Sequence, residues 1–244
     1  MVYITDGSFE GLLTAVFEAY QNRENPEDII SRSTLQLSMV IEMREIITDP
    51  EKSDRVYKAI SEKISQEALE MVYSAYLSEA PDCGLYIYRF IRIGMKIGKK
   101  VCHYLQNPDV LRVHDLSRKV FGETHRFLGL LRFKRIQNGI FYAQYEPDHN
   151  ITMLISGHFA ERLSDQPWII HDTGRDVCAL YDTREYVLMQ GHPPFIDEAQ
   201  PEEEFERLWK GYFKAIAIES RKNPRLQRSF MPVRYWKNLT EKRL

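Results

Sequence analysis

The 244-residue sequence is poor in cysteine and has no long apolar run. Its three cysteines are an odd and widely spaced set, which excludes a disulfide scaffold and is typical of reduced thiols in a cytosolic protein. No stretch approaches the roughly 20 apolar residues that a membrane helix needs. The N-terminus also lacks the basic and apolar regions of a secretory signal. We therefore expect a cytoplasmic protein that does not enter a membrane.

Motifs of the common catalytic classes are also missing. The sequence contains no GxxxxGK[ST] phosphate loop, no GxGxxG dinucleotide turn and no GxSxG nucleophile motif. It contains neither HExxH nor CxxC, so local spacing supports no metal and no cofactor. The motif content therefore leaves open whether the protein is an enzyme.

The charges are distributed unevenly along a chain that is otherwise typical of a folded protein. Apolar residues make up 43% of the sequence and aromatic residues 12%, which is enough to build a core. The formal net charge is only −2, but residues 207–244 carry 11 Lys or Arg and two Asp or Glu, a net charge of +9. We call residues 207–244 the basic C-terminal segment. Such a segment can hold a polyanion through phosphate contacts, and a solvated charged tail is the alternative.

The hydrophobic period predicts helices in residues 1–125. Apolar side chains recur at helical spacing from Phe9 to Tyr20, and either Asp6 or Ser8 can cap this helix. Further helical stripes follow, and the last of them ends near His125. We therefore expect a helical region over residues 1–125.

Residues 126–244 combine strand and helix patterns. The pair Asn138-Gly139 stands between two alternating runs, which predicts a β-hairpin. Further strands are expected at Trp168–His171, Val177–Tyr181 and Tyr186–Met189, with a helix before them at residues 151–162. The expected fold class is α+β, with a helical N-terminal region, a small antiparallel sheet with an inserted helix, and a helical basic C-terminus. The two regions could also form one integrated domain.

Residues 202–221 give the clearest helical pattern, with apolar and basic side chains on opposite faces. Cations next to aromatic rings suit a single-stranded nucleic acid, because cations hold phosphates and rings stack on bases. The residues that we expect to bind nucleic acid are Arg207, Lys210, Lys214, Arg221, Lys222, Asn223, Arg225, Arg228, Arg234, Tyr235 and Trp236. For the aromatic residues among them, packing in the core is the alternative.

Three polar clusters, which contain His125, His158 and His171 respectively, are candidates for acid–base or phosphate chemistry. A buried histidine beside a carboxylate can act as a general base, and an arginine can hold a phosphate. The catalytic candidates are His125, His158, His171 and Asp172, and the candidate phosphate-holding residues are Arg126, Arg132, Arg162 and Arg175.

Each of these clusters also has a structural explanation. A histidine on an apolar helix face, such as His158, is usually a core residue. An aspartate before Thr-Gly, such as Asp172, usually caps a turn. Adjacent strand residues point to opposite faces, so His171 and Asp172 are not a dyad by adjacency, and Arg162 could instead pair with Asp172.

Several long segments support a resemblance over nearly the whole chain. They are, in order, DGSFEGLLTAVFEAY, GETHRFLGLLRF, HFAERL, PWIIHDTGRD, LWKGYFKAIAIESRKNPRLQRSFMP and VRYWKNLTE. With these segments the chain resembles an uncharacterised bacterial family of DNA-metabolism proteins. The resemblance implies a radical S-adenosylmethionine protein, encoded nearby, as a partner. It also implies a uracil-DNA-glycosylase-like partner, because some related proteins carry this region fused to such a domain. It supplies no catalytic residues.

Three functions follow as hypotheses. The first is a DNA-metabolism or DNA-repair protein that binds single-stranded or damaged duplex DNA through the basic C-terminal segment and acts with one of these partners. The second is an enzyme that acts on a DNA lesion or a nucleotide. The third is a non-catalytic adaptor whose basic face docks on an acidic protein.

Overall fold

The computed structural model describes residues 1–34, 42–136, 139–192 and 223–242. The chain divides into two compact units, Met1–Phe121 and Gly122–Leu244. This division falls within one long helix, α5 (Pro108–Leu130), and the boundary that the sequence predicts at residue 125 falls within the same helix. Among the helices in the described ranges, none is both long and apolar enough to cross a bilayer.

The first unit contains a parallel sheet as well as helices. Its strands are β1 (Val2–Thr5), β2 (Asp28–Ser31) and β3 (Met43–Glu45), and β2 and β3 pair in parallel with β1 between them. The helices are α1 (Phe9–Gln21), α2 (Pro50–Lys63), α3 (Gln66–Leu77), α4 (Cys83–Ile97) and the first part of α5. The sequence predicted the helices of this region but not these three strands. They are three or four residues long, too short to display a two-residue alternation.

Side-chain caps define the starts of three of these helices. The Ser8 hydroxyl accepts a hydrogen bond from the Gly11 N–H, so Ser8 caps α1. Asp49 caps α2 ahead of Pro50, and Ser65 caps α3. Each cap satisfies a backbone donor that the first helical turn leaves unpaired.

The second unit is built on a five-stranded mixed sheet. Its strands are β4 (Lys134–Arg135), β5 (Phe141–Tyr145), β6 (Trp168–Asp172), β7 (Val177–Tyr181) and β8 (Tyr186–Gln190), and they lie in this order. Helix α6 (Thr152–Arg162) connects β5 to β6 and packs against β6, β7 and β8. Because α6 carries the chain back across the sheet, β5 and β6 are parallel, whereas the other pairs are antiparallel.

The α+β class is therefore confirmed, together with the β4–β5 hairpin, the inserted helix and the three later strands. The sheet differs from the expected antiparallel one in its single parallel pair. Asn138 of the expected turn lies outside the described residues, and Gly139 has a positive φ of 75°.

A short helix and two 3₁₀ turns end the described chain. They are α7 (Pro224–Phe230), Val233–Asn238 and Thr240–Lys242. Helix α7 has no buried residue, whereas Tyr235 and Leu239 in the following chain are buried. The helix predicted at residues 202–221 lies outside the described residues.

Candidate functional site

The three candidate histidines are separate from one another. His125 is exposed on α5, His158 is half-buried on α6, and His171 is buried on β6. Within residues 1–34, 42–136, 139–192 and 223–242, no hydrogen bond, ion pair or ring contact joins any two of them. They are therefore not in direct contact with one another, and their catalytic roles stay predictions.

Asp172 and Arg175 form a structural ion pair. The Asp172 side chain has no exposed surface and lies 3.0 Å from the Arg175 guanidinium. Asp172 also accepts hydrogen bonds from the Gly174 and Arg175 N–H groups, as expected of a turn cap. Burial raises the pKa of Asp172, and the Arg175 charge opposes that rise. These contacts give Asp172 and Arg175 a structural role in the turn, and their proposed catalytic and phosphate-holding roles stay predictions.

The remaining candidate arginines occupy three different environments. Arg132 is bound to the nearly buried carboxylate of Glu241 at 2.6 Å, an ion pair that holds the C-terminal turn against residue 132. Arg126 is half-buried, and its Nε atom has no hydrogen-bond partner among the described residues. Arg162 is exposed, and Asp172 is bound to Arg175 instead of to Arg162.

Helix α7 presents cations and apolar side chains to solvent. Arg225 and Arg228 are exposed and form no ion pair within the described part of the chain. Phe230 is 69% exposed and Leu226 is 54% exposed. Asn223, expected to bind nucleic acid, caps this helix by accepting the Leu226 N–H at 3.0 Å. The other predicted cations, Arg207, Lys210, Lys214, Arg221 and Lys222, lie outside the described residues.

The chain after α7 is anchored to the second unit through Tyr235. Only 2% of Tyr235 is exposed, its ring packs on Phe127 with centroids 4.7 Å apart, and its hydroxyl donates to Glu123. Burial, with the hydrogen bond to Glu123, raises the pKa of Tyr235 to about 12. A base cannot stack on a ring packed in this way, so the structure corrects the assignment of Tyr235.

The neighbours of Tyr235 are also engaged within the protein. Arg234 pairs with Asp148, and its guanidinium lies 4.7 Å from the centre of the Tyr235 ring. The Trp236 indole donates to the Met231 carbonyl at 3.0 Å, and the Lys242 ammonium lies 4.6 Å from the centre of its ring. Among the three aromatics near α7, the exposed one is Phe230.

One cluster of titratable side chains was not expected from the sequence. His171, Asp176 and His192 bring one ligand atom each to within 4.8 Å of one another. The Asp176 carboxylate accepts hydrogen bonds from His171 Nε2 at 3.1 Å and from His192 Nδ1 at 2.8 Å. We call these three residues the His171 cluster.

The electrostatics of the His171 cluster favour a neutral buried imidazole beside an ionised carboxylate. Burial lowers the pKa of His171, and the hydrogen bond to Asp176 opposes that effect. Hydrogen bonds from His192 and His171 lower the pKa of Asp176. The nearby Cys178 is buried, which raises the pKa of its thiol to about 12, and its sulfur is not among the ligand atoms that lie within 4.8 Å of one another. The available donors are therefore two imidazole nitrogens and one carboxylate, a set that can hold a metal ion.

The sequence did contain a signal for this cluster. His171 ends the predicted strand Trp168–His171, Asp176 immediately precedes the predicted strand Val177–Tyr181, and His192 follows the predicted strand Tyr186–Met189. In a meander of three antiparallel strands, the end of the first strand, the start of the second and the end of the third lie at the same end of the sheet. These three positions are therefore neighbours in space. Local motif spacing does not detect this arrangement, because the residues are joined through strand pairing.

The comparisons with known proteins give one match. The sequence profile of a family described as a domain of unknown function (DUF4130) matches residues 81–241. The matched range includes the His171 cluster and α7. No curated protein and no solved structure matches the chain.

Proposed function

The chain belongs to the DUF4130 family, whose function is unknown, and for this member we propose a role in DNA metabolism in which the basic C-terminal segment binds nucleic acid. The proposed ligand is single-stranded or damaged duplex DNA, and the proposed setting is the cytoplasm. The proposed partner is a radical S-adenosylmethionine protein or a uracil-DNA-glycosylase-like protein, as the resemblance of the sequence implies.

The observation that carries this proposal is the solvent-exposed surface of α7. Arg225 and Arg228 are three positions apart, so they lie on the same side of the helix, about 5–6 Å apart at Cβ. No carboxylate in the described part of the chain neutralises them. The helix belongs to a segment with a net charge of +9, which favours phosphate contacts over isolated surface cations.

Phe230 supplies a stacking surface next to these cations. It ends α7, and 69% of it is exposed, which is unusual for a large aromatic side chain in a folded protein. An aromatic ring beside arginines matches the chemistry of a single strand, whose bases are free to stack. In a duplex the bases are already stacked on each other, so we propose that the single-stranded form is preferred.

The test is fluorescence anisotropy with labelled single-stranded, duplex and uracil-containing duplex DNA, titrated across salt. We expect wild-type affinity to fall steeply with salt, because phosphate contacts release counterions. In the double variant R225E/R228E, the slope of log K against log salt should decrease in magnitude by roughly 1.4, at about 0.7 per phosphate contact for a single strand.

A matched double charge reversal provides the control. Arg118 on α5 and Arg184 in the β7–β8 turn are also exposed, and neither belongs to the basic C-terminal segment. R118E/R184E has the same net charge as R225E/R228E, so it controls for the overall charge of the protein. Because neither residue lies on α7, this variant should retain the wild-type salt slope. If both variants lose affinity equally, or if R225E/R228E binds like wild type at low salt, α7 is not the binding surface.

The variant F230A tests stacking separately from charge. Stacking of a base on an aromatic side chain contributes about 1–3 kcal/mol, so single-strand affinity should fall by roughly 5- to 150-fold. Duplex affinity should change little. An equal loss for both forms would contradict a stacking role for Phe230.

Exposed apolar side chains in α7 and in the 3₁₀ turn that follows it favour one second candidate, a protein-docking role. Leu226 is 54% exposed and Val233 is 55% exposed, and neither has a use in holding phosphates. Absence of DNA binding at low salt, together with copurification of the radical S-adenosylmethionine protein by wild type but not by R225E/R228E, would support the adaptor function.

A further inference from the structure

The His171 cluster is held at one end of the β6–β7–β8 meander. His171 is in β6, Asp176 immediately precedes β7, and His192 follows β8 by two residues. The Gly191 N–H donates to the Asp176 carbonyl at 2.6 Å, which ties the end of β8 to the β6–β7 turn. Two further hydrogen bonds run from the Gln190 amide to the Arg175 and Asp176 carbonyls. Three hydrogen bonds therefore hold the segment that carries His192 against the turn that carries Asp176.

Two residues with positive φ direct these side chains toward one another. Asp176 has a φ of 50°, a conformation that aspartate and asparagine adopt more readily than most residues. Gly191 has a φ of 81°, which turns the chain after β8 so that His192 lies over His171, with ring centroids 4.8 Å apart. Without this turn, an extended chain would carry His192 away from the cluster.

The distances suit a shared metal ion. Two atoms bound to one tetrahedral Zn²⁺ at about 2.0–2.1 Å lie about 3.3–3.4 Å apart. The Asp176 carboxylate oxygen lies 3.1 Å from His171 Nε2 and 2.8 Å from His192 Nδ1. For an ion to bind, each of these two distances would need to increase by less than an ångström. The third distance, between the His171 and His192 ring nitrogens, is at most 4.8 Å and would need to decrease.

A neighbouring hydroxyl orients the buried ligand. Tyr142 on β5 lies 2.8 Å from His171 Nδ1, the ring nitrogen that faces away from Asp176. Metal-binding histidines are commonly held in this way, with the second nitrogen hydrogen-bonded so that the first points at the ion. When Nε2 binds a metal, the proton on Nδ1 can be donated to the Tyr142 oxygen.

The cluster is buried on one side and open on the other. The His171 side chain is 7% exposed, whereas the His192 side chain is 28% exposed and the Asp176 side chain 54% exposed. Solvent or a further ligand can therefore reach the ligand atoms from the Asp176 side. Among the described residues the cluster offers three ligands, and three protein ligands with an open position are typical of catalytic metal sites, whereas structural sites are closed by four protein ligands.

From these observations we propose that His171, Asp176 and His192 bind one divalent transition-metal ion and leave at least one coordination position open to water or a substrate oxygen. Two nitrogens and one carboxylate oxygen suit Zn²⁺, Fe²⁺ or Co²⁺, whereas Ca²⁺ and Mg²⁺ prefer all-oxygen sites. This proposal does not depend on DNA binding by α7.

The test uses the full chain after treatment with a chelator and removal of the chelator. Zn²⁺ is titrated by calorimetry, and Co²⁺ is titrated while the visible absorption of the bound ion is recorded. We expect one equivalent of each ion to bind and to compete with the other. The variants D176N and H192A should each weaken Zn²⁺ binding by at least about 100-fold, because removing a side chain that binds the ion costs at least as much affinity as removing one that only orients a ligand. D176N keeps a residue that tolerates the positive φ, so it preserves the turn.

Two further variants separate a built site from adventitious binding to histidines. Y142F keeps the ring but removes the hydroxyl near His171, and it should weaken Zn²⁺ binding by about 10-fold and alter the Co²⁺ spectrum. H103A removes an exposed histidine outside the cluster and should bind Zn²⁺ like wild type. Failure of wild type to bind one equivalent would overturn the proposal. So would wild-type affinity in D176N and H192A, provided that circular dichroism shows both variants to be folded.

Discussion

Replacing Tyr235 by phenylalanine tests whether this residue anchors the C-terminal chain or contacts nucleic acid. The structure places its hydroxyl on Glu123, whose carboxylate is itself buried, with 1% of the residue exposed. Glu123 also accepts the N–H groups of Asp148 and His149 at 2.8 and 2.9 Å. The hydroxyl is therefore one of three donors to a buried acceptor. Y235F removes this donor and keeps the aromatic ring.

The expected loss of stability follows from these contacts. A hydrogen bond to a charged group contributes about 1.5–3 kcal/mol. Two backbone donors remain on Glu123 in Y235F, and phenylalanine leaves no cavity, so we expect a loss near the lower bound, about 1.5 kcal/mol. Y235A also removes a ring packed on Phe127, and deletion of a buried aromatic side chain raises the loss to about 3–5 kcal/mol.

The assay combines urea unfolding with the DNA titration used for α7. Y235F should unfold at a lower urea concentration with an unchanged m value, and its DNA affinity under native conditions should equal that of wild type. Y104F removes the hydroxyl of a tyrosine that is 44% exposed, and it should change neither quantity. Wild-type stability for Y235F would refute the anchoring role. A fully folded Y235F with weakened DNA binding would restore the contact with nucleic acid that the sequence suggested.

Three further perturbations have directions that the structure determines. In G84A the new Cβ would lie 2.2 Å from a backbone carbonyl oxygen of β2, so urea unfolding should show a loss of about 2 kcal/mol or more in the free energy of unfolding. In the control G122A the new Cβ meets only a side-chain atom at 3.8 Å, so this variant should gain up to about 1 kcal/mol of helix stability. D172A leaves the guanidinium of Arg175 without its carboxylate and should lose about 3 kcal/mol in the same assay, and a loss below 1 kcal/mol would contradict the ion pair. Hydrogen bonds from the Arg112 guanidinium lower the pKa of Asp82. This pair therefore stabilises the fold at pH values above the ordinary pKa of aspartate, near 4, and its contribution is lost as the pH falls through the lowered pKa. The difference in melting temperature between wild type and D82N should therefore be largest near neutral pH and vanish in acid, and a difference that is independent of pH would contradict this assignment.

Local patterns in the sequence predicted much of the second unit. The Asn138-Gly139 pair between alternating runs predicted the β4–β5 hairpin, and strand-like runs separated by turn residues predicted β6, β7 and β8, because these signals depend on neighbouring residues only. The parallel pairing of β5 and β6 was not predictable in this way, since it depends on where α6 returns the chain. The short strands of the first unit were missed for the related reason that three or four residues carry too little periodicity.

The candidate site shows the same division more sharply. The sequence by itself determined the α+β class and the concentration of positive charge in residues 207–244, and it offered a turn cap as one of two roles for Asp172, because composition, period and turn propensity are local properties. Only the tertiary structure decided which of those charges are already paired, and it buried Tyr235 against Glu123. It also brought Asp176 and His192 to His171 across 5 and 21 positions, through strand pairing that no local motif encodes. A side chain acquires its chemistry from its neighbours in space, and those neighbours are set by the order of the strands and by the faces on which the helices pack.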